Sequence, residues 1–413
     1  MRALALLALT PFALPALAAT STYEAVRQEA ACPRAKEARS LRQTVVVLDE
    51  GIVSTSAEEN QRWTRIVVEA ADARDVATGA LGVRERFSIH VARRDGSELV
   101  PLFVGCAPNV GTEETGRARG QDSTLDRFIG RDADSRLKRE RSDFANGLAK
   151  ALSQVQRQAA TIAAEPQAPG ALVRALQNAG RLADPEQGLA RFVLVTPLNL
   201  PDRTAPDAAT ARQRGFALAE RSGVDLGRAE VYVAGANLGE GGALDFARAF
   251  VLGSKGFLAG ARSDGLPRLL PEPTRLRVYS GFIDWVGKRV PMQVRLATSA
   301  GGELVNAWVE VTVSRATATP LNGKALCRAE VCEVHGDGRF AQVWLVNPGD
   351  ASAGNASFPF AGARTFEMRT TAEVAKGRVQ DPNLVFYDVG PTGQRTETKE
   401  LAFELTRSEG LPF

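Results

Sequence analysis

The stretch QTVVVL, residues 43–48, decides the fold of the first half of the chain. Its nearly uninterrupted β-branched residues predict a strand that is buried on both faces of a sheet. Four further apolar runs predict strands at 86–91 (RFSIHV), 99–104 (LVPLFV), 191–196 (RFVLVT) and 229–234 (AEVYVA). Amphipathic stretches predict helices at about 56–70, 134–164, 171–182, 208–222 and 244–260. Apolar strands that alternate with helices favour a mostly parallel sheet between two helix layers, a Rossmann-like three-layer α/β domain over residues 43–265.

The pattern changes after residues 266–273 (LPRLLPEP), whose composition predicts a linker. Beyond it, apolar and polar residues alternate with a period of two, as in 305–313 (VNAWVEVTV) and 340–346 (FAQVWLV). Turn-like sequences separate such runs, at 299–302 (SAGG), 321–323 (LNG), 335–338 (HGDG) and 347–349 (NPG). These features predict an antiparallel β-sandwich of the immunoglobulin-like type over residues 274–413. The expected fold class is therefore α/β plus all-β.

The first nineteen residues, MRALALLALTPFALPALAA, predict an export signal. Arg2 supplies the positive start, residues 3–13 the apolar run, and Ala16 and Ala18 the small residues that a signal peptidase reads. A membrane anchor is the alternative, but the run is shorter than the roughly 20 apolar residues of a bilayer span. No second long apolar run follows, so no membrane span is expected after cleavage. Residues 20–42 would then begin a periplasmic or secreted protein, and the arginine- and alanine-rich composition suggests a Gram-negative type bacterium.

Charge and cysteine content narrow the classes of function. The chain has 51 basic and 48 acidic residues and a net charge of +3, which gives no reason to expect nucleic acid as a partner. Four cysteines in an exported chain favour disulfides. Sequence proximity favours Cys327 with Cys332, which leaves Cys32 with Cys106. A metal site is the alternative, yet only His335 lies close to the second pair.

The strand that ends in Asp49 resembles the first strand of a von Willebrand factor A (VWA) domain. A hydroxyl-rich loop at 54–56 (STS) follows it, with glutamates at the spacing of a helix capping box, and residues 191–196 resemble the fourth strand of that fold. The resemblance implies a VWA-type α/β domain. In metal-binding members, two serines and a later aspartate complete the site; the corresponding positions here hold Gly51, Val53 and Pro197. The resemblance therefore implies a degenerate site with no metal and no cofactor.

The sequence offers no convincing catalytic set. Serine–histidine catalysis lacks parts, because the chain has only His90 and His335 and no G-x-S-x-G motif. The G-x-x-x-G-x-G run at 235–241 resembles the phosphate loop of short-chain dehydrogenases. That run follows a late strand, however, and the chain has no Tyr-x-x-x-Lys pair. We therefore expect a loop rather than a dinucleotide site, and a protein that is not an enzyme.

Three alternatives stay open. A metal-dependent adhesion module would need displaced hydroxyl ligands beside Asp49, from Ser54, Ser56, Thr112 or Thr115. An exported hydrolase would need a carboxylate pair from distant segments, and no pair stands out. A sugar-stacking platform is the alternative to a core position for Trp285, Trp308 and Trp344.

The leading expectation is a non-catalytic module for protein–protein interaction or assembly. Its partner would be a protein of the cell envelope or of an exported complex. Loops that follow the strands are where open α/β sheets bind ligands, so we expect the partner surface in loops 50–55, 196–202 and 235–242. The candidate residues are Asp49, Glu50, Ser54, Thr196, Asn199, Asn237 and Glu240.

Overall fold

The computed structural model of the protein describes residues 22–33, 40–72, 81–108, 132–182, 188–239, 242–285, 288–312, 316–345, 356–380, 385–386, 396–397 and 400–408. In these ranges the chain forms a mixed seven-stranded sheet with helices on both faces, followed by a closed eight-stranded barrel. None of the helices within them has the length and apolar character that crossing a membrane requires.

The sheet of the first half is built around the strand that the apolar run predicts. Its strands are β1 (Val26–Gln28), β2 (Arg42–Asp49), β3 (Arg86–Ala92), β4 (Leu99–Cys106), β5 (Leu189–Val195), β6 (Ala229–Ala234) and β7 (Gly256–Arg262). They lie in the order β1-β4-β3-β2-β5-β6-β7. Strands β2, β3, β5, β6 and β7 are parallel, whereas β4 runs antiparallel to β3. All eight residues of the central strand β2 are buried.

Helices cover both faces of this sheet. They are α1 (Ala57–Ala70), α2 (Ala133–Arg157), α3 (Ala159–Ala164), α4 (Ala171–Leu176), α5 (Ala208–Ser222) and α6 (Ala243–Gly253), with short 3-10 turns at Glu29–Ala31, Glu50–Ile52 and Ala179–Leu182. The first three helices bury Trp63 and Phe144 against one face. The last three bury Leu172 and Phe250 against the other.

The helix predicted at 244–260 is shorter than expected. It ends at Gly253, and Lys255 has a φ of +54°, in the left-handed region that interrupts a helix. The chain then forms β7 from Gly256 onward. Apolar residues lie on both sides of this break. The break could not be predicted, because periodicity does not separate a short buried strand from a buried helix.

The second half closes into a barrel, so the predicted immunoglobulin-like β-sandwich is wrong. Its strands are β8 (Pro273–Trp285), β9 (Lys288–Ser299), β10 (Ala307–Thr312), β11 (Ala316–Arg328), β12 (Val331–Leu345), β13 (Ala356–Thr370), β14 (Val374–Gln380) and, after a two-stranded ribbon of β15 (Val385–Phe386) and β16 (Thr396–Glu397), β17 (Glu400–Arg407). The ring order is β10-β11-β12-β13-β14-β17-β8-β9, with antiparallel neighbours throughout. Tyr279, Met292, Phe366 and Phe403 belong to its buried core.

Two turn-like sequences lie inside strands of this barrel. The LNG run at 321–323 belongs to β11 and the HGDG run at 335–338 to β12, where Gly323 pairs directly with Gly336. A side chain at Gly323 would collide with the carbonyl of His335, so glycine there permits close approach of two strands. A period of two shows that one face of a strand is buried, but it does not tell whether the sheet closes on itself.

The predicted combination of a VWA-like domain and a sandwich is therefore contradicted. The first half is a mixed seven-stranded sheet, and the second half is a closed barrel. An apolar strand that ends in an aspartate is common to many open α/β sheets. The residues that carried the resemblance predicted a central strand, but they did not specify the fold.

Both disulfides have the pairing that sequence proximity favours. Cys32–Cys106 joins the segment before β2 to the end of β4 across 74 residues of sequence. Cys327–Cys332 closes the turn between β11 and β12 across five. Two such bonds indicate a protein that folds in an oxidising compartment.

The two halves of the chain pack directly against each other. Trp308 of β10 is fully buried, and its ring meets that of Phe257 nearly at a right angle, with 5.7 Å between centroids. The guanidinium of Arg228 lies 5.3 Å from the same ring, and Trp308 Nε1 donates to Asn306 Oδ1 at 3.0 Å. Trp308 is thus a core residue of the contact between the halves. The side chains of the other two tryptophans of the barrel lie outside the described residues.

Candidate functional site

Three loops meet at the carboxyl ends of β2, β5 and β6, and we call this region the loop edge: residues 50–55, 196–202 and 235–239 of the described chain. The three strands are parallel neighbours, so the loops after them leave the same side of the sheet. Thr196 Oγ1 donates to Asp49 Oδ2 at 2.7 Å, which ties the second loop to the end of β2. A Cβ atom at Gly235, whose φ is +92°, would lie 2.6 Å from Ile52 Cδ1. Glycine at 235 therefore lets the third loop approach the first.

Asp49 is a buried structural acceptor. Its carboxylate is 1% exposed, and Oδ1 accepts from the Gly51 amide at 2.8 Å while Oδ2 accepts from Thr196. Burial raises the pKa of Asp49, and the hydrogen bond from Thr196 opposes that rise. The same Thr196 oxygen accepts from the Leu198 amide at 2.9 Å. Asp49 thus connects two loops of the edge.

Glu50 holds the first loop in place through hydrogen bonds. It is fully buried, with Oε1 accepting from Tyr23 at 2.5 Å and Oε2 from the Arg94 amide at 2.9 Å. The Arg94 guanidinium also donates to the carbonyls of Glu50 and Val53, at 3.3 and 3.0 Å. These contacts hold the loop backbone from both ends. They also bind the N-terminal segment, through Tyr23, to the loop edge.

Ser54 and Ser56 belong to the start of α1. Ser54 Oγ accepts from the Ser56 amide at 2.9 Å, and its carbonyl accepts from Asn60 Nδ2 at 2.6 Å. Ser56 is the N-cap, and its hydroxyl accepts from the Glu59 amide at 3.4 Å, as the capping spacing predicts. Both hydroxyls therefore organise a helix terminus.

The residues of the loop edge do not fit a divalent metal ion. Both oxygens of Asp49 are occupied by donors of the protein, and Gly51 and Val53 carry no ligand atoms in their side chains. Across the ranges that the structure describes, no group of three or more His, Cys, Asp or Glu side chains is arranged to hold a metal. Thr112 and Thr115, the other hydroxyl ligands considered, lie outside those ranges.

The exposed candidates of the loop edge are amides. Asn199 is exposed between the buried Leu198 and Leu200, and the Leu198 backbone has a φ of +53°. Asn237 is exposed too, and its Oδ1 accepts from the Gly239 amide at 3.2 Å. Glu240 lies outside the described residues. The exposed groups among these candidates are therefore neutral hydrogen-bonding groups, on loops that buried contacts hold in place.

The histidines do not complete a catalytic arrangement with these residues. His90 lies within β3, 7% exposed, and no hydrogen bond to its Nδ1 is present in the described structure. Burial, with a smaller effect from Arg86, lowers the pKa of His90 to about 4, so its imidazole is neutral at physiological pH. His335 is exposed on the barrel strand β12.

A buried ionic network at the opposite edge of the sheet escaped sequence reasoning. Arg42 donates to both oxygens of Glu85 at 3.1 Å, and Arg191 Nε donates to Glu230 at 2.8 Å. All four side chains are at most 2% exposed. Burial raises the pKa of Glu85, but Arg42 and Arg191 outweigh it, so the net shift is downward. The sequence shows only a charged residue near the start of several predicted strands. Such a residue is equally expected at the end of a strand, so it did not reveal the network.

This network also holds the segment between the two halves. Arg42 Nη1 donates to the carbonyls of Leu270 and Pro271, at 3.1 and 2.8 Å. The Leu270 amide donates to the hydroxyl of Tyr232 at 2.8 Å. These charged side chains therefore stabilise the fold and the position of this segment.

Comparison with known proteins gives no family for this chain. No protein-family model and no curated protein matches it.

Proposed function

We propose that this protein is an exported, non-catalytic interaction module that docks a protein partner on its loop edge. One observation carries the proposal. Two acidic groups at the edge, Asp49 and Glu50, are buried and hold the loops through hydrogen bonds, whereas Asn199 and Asn237 are exposed and can contact another molecule. A rigid scaffold that presents polar loop residues is the usual arrangement of a recognition surface.

The compartment supports the same proposal. Two disulfides fit a chain that works outside the cytoplasm, and the expected export signal at residues 1–19 agrees with them. The partner would then be a protein of the cell envelope or of an exported complex. Periplasmic residence and secretion are both compatible with this proposal.

Affinity capture from the native envelope fraction tests it, with and without EDTA. The test variant is Asn199→Arg/Asn237→Arg, which puts two bulky charges on the loop edge. The control is Asn178→Arg/Asn322→Arg, which makes the same change at two exposed asparagines away from that edge. We expect wild type and control to retain one stoichiometric partner in EDTA, and the test variant to lose it.

Two outcomes would contradict the proposal. Equal capture by the test and control variants would move the partner surface away from the loop edge. Release of the partner by EDTA would instead point to a metal-dependent contact, which the occupied oxygens of Asp49 do not favour.

A further inference from the structure

One end of the barrel holds a small cavity that the docking proposal does not use. Its lining comes from strands around the ring: Arg275, Arg277, Leu296, Thr298, Ala325, Cys332, Val334 and Thr370. The cavity is partly open to solvent and has room for about one water molecule or one methyl group. Apolar atoms form most of its wall surface, although four of the eight lining residues are arginines or threonines.

Arg277 crosses this end of the barrel. It lies on β8, and in the closed ring β8 and β12 are separated by three strands in either direction, so they stand opposite each other. The guanidinium reaches the turn before β12, where Nη1 donates to the Glu330 carbonyl at 2.9 Å and Nη2 to Glu330 Oε2 at 2.7 Å. Arg277 is 9% exposed in its side chain, whereas Glu330 is 70% exposed. A nearly buried cation is thus matched by a carboxylate that stands mostly in solvent.

The hydroxyl of Thr370, which also lines the cavity, has no hydrogen-bond partner among the described residues. Thr370 is fully buried, and its Oγ1 makes no hydrogen bond in the described structure. Thr370 pairs with Cys332 across β12 and β13, and Cys332 Sγ lies 3.7 Å from Arg277 Nη1. The free hydroxyl and the guanidinium therefore flank the same residue. A buried hydroxyl without a partner costs free energy that a suitable ligand would recover.

We propose that this end of the barrel binds a short-chain carboxylate of about the size of acetate. Arg277 would hold the carboxylate by charge-assisted hydrogen bonds, and Thr370 Oγ1 would donate to it as well. The methyl group would enter the space between Leu296, Ala325 and Val334. Glu330 stands in for the ligand in the free protein, since its carboxylate occupies the same guanidinium. The site is separate from the loop edge, so its failure would leave the docking proposal untouched.

Glu330 and acetate would compete for Arg277, and this competition distinguishes a ligand site from a salt bridge that is only structural. Saturation-transfer NMR with ¹³C-acetate measures weak binding, and acetamide is the neutral probe of the same shape. Glu330→Gln removes the competing charge from an exposed position, so acetate should bind at least about threefold more tightly than to wild type. The matched control is Glu333→Gln, at an exposed glutamate three residues after Glu330, which should bind as wild type does.

Two further variants locate the ligand. Thr370→Val keeps the shape and removes the hydroxyl, so it should weaken acetate binding severalfold in the Glu330→Gln background. Arg277→Gln in that background should abolish binding, with circular dichroism reporting whether the barrel is intact. Equal acetate binding by the Glu330→Gln and Glu333→Gln proteins would overturn the proposal, and so would equal binding of acetate and acetamide. Absence of acetate binding in the millimolar range to folded Glu330→Gln protein would overturn it too.

Discussion

The hydroxyl of Thr196 should be the most sensitive single group of the loop edge, and Thr196→Val isolates it. The hydroxyl donates to Asp49 at 2.7 Å and accepts from the Leu198 amide at 2.9 Å. A hydrogen bond to a charged group is worth about 1.5–3 kcal/mol, and a buried amide left without an acceptor costs about 1–3 kcal/mol. Because Leu198 relaxes in part, we expect a loss of about 2–4 kcal/mol in the free energy of unfolding, measured in urea.

This loss should depend on pH, because the lost hydrogen bond favours the charged form of Asp49. Burial already raises the pKa of Asp49, and removal of Thr196 Oγ1 raises it further. A carboxyl group whose pKa is raised by folding contributes stability below its unfolded pKa, and that contribution disappears as the pH rises through the folded pKa. The difference between wild type and Thr196→Val should therefore be largest above the folded pKa of Asp49 and shrink as the pH falls through it.

The control for this prediction is Thr204→Val, which removes an exposed hydroxyl near the same loop. It should change the free energy of unfolding by less than about 0.5 kcal/mol. The reasoning is refuted if Thr196→Val is no more destabilising than this control at neutral pH. A pH-independent loss would show that Asp49 is not the group that Thr196 serves.

Three other substitutions test the architecture behind the loop edge. Arg42→Met should cost about 3–5 kcal/mol in urea unfolding, because it leaves Glu85 buried without its bidentate partner; a loss below about 1 kcal/mol would contradict this. Trp308→Ala should cost about 3–5 kcal/mol by the same measurement, since it empties a fully buried site between the halves; Trp308→Phe should recover much of it. Cys32→Ser/Cys106→Ser should destabilise the chain by about 2 kcal/mol more than the equivalent change at the hairpin disulfide, because it opens a loop of 74 residues rather than five; equal losses would rule out chain entropy as the cause.

The secondary structure of the first half could be predicted because its strands are apolar on both faces. Strand β6 begins and ends where the AEVYVA run does, and β2 exceeds its predicted range by one residue at each end. The edge strand β7 was missed because its residues continue the apolar character of α6. Interior strands carry a composition that distinguishes them, and this edge strand does not.

The closure of the barrel could not be predicted from local pattern. It depends on pairings between distant segments, such as Phe403 with Ile283, which join β17 to β8. Gly323 and Gly336 lie in runs whose composition is typical of turns, yet the two residues pair across neighbouring strands. Only the contact across the ring explains those glycines, and a single sequence does not reveal contacts.

The proximity of Asp49 and Thr196 could be predicted, but the hydrogen bonding of their side chains could not. Asp49 and Thr196 end parallel neighbouring strands, so their proximity follows from the sheet order. That Asp49 has both oxygens occupied depends on loop conformations which the sequence does not specify. The same holds for Arg42, whose three guanidinium nitrogens donate to partners far apart in sequence.

The distribution of charge over the sheet restricts how a partner can be recognised at the loop edge. At the opposite edge the buried Glu85 is paired with Arg42, and at the loop edge the buried Glu50 accepts hydrogen bonds from Tyr23 and from the Arg94 amide. The exposed carboxylate of Asp202 at the loop edge lies 3.7 Å from Arg221, so it too has an opposite charge nearby. Recognition there should therefore rest on shape and on neutral amides, with little long-range attraction to screen. Capture of the partner should persist when the salt concentration rises from about 0.05 to about 0.5 M, and loss of capture over that range would mean that charge outside the described loops carries the contact.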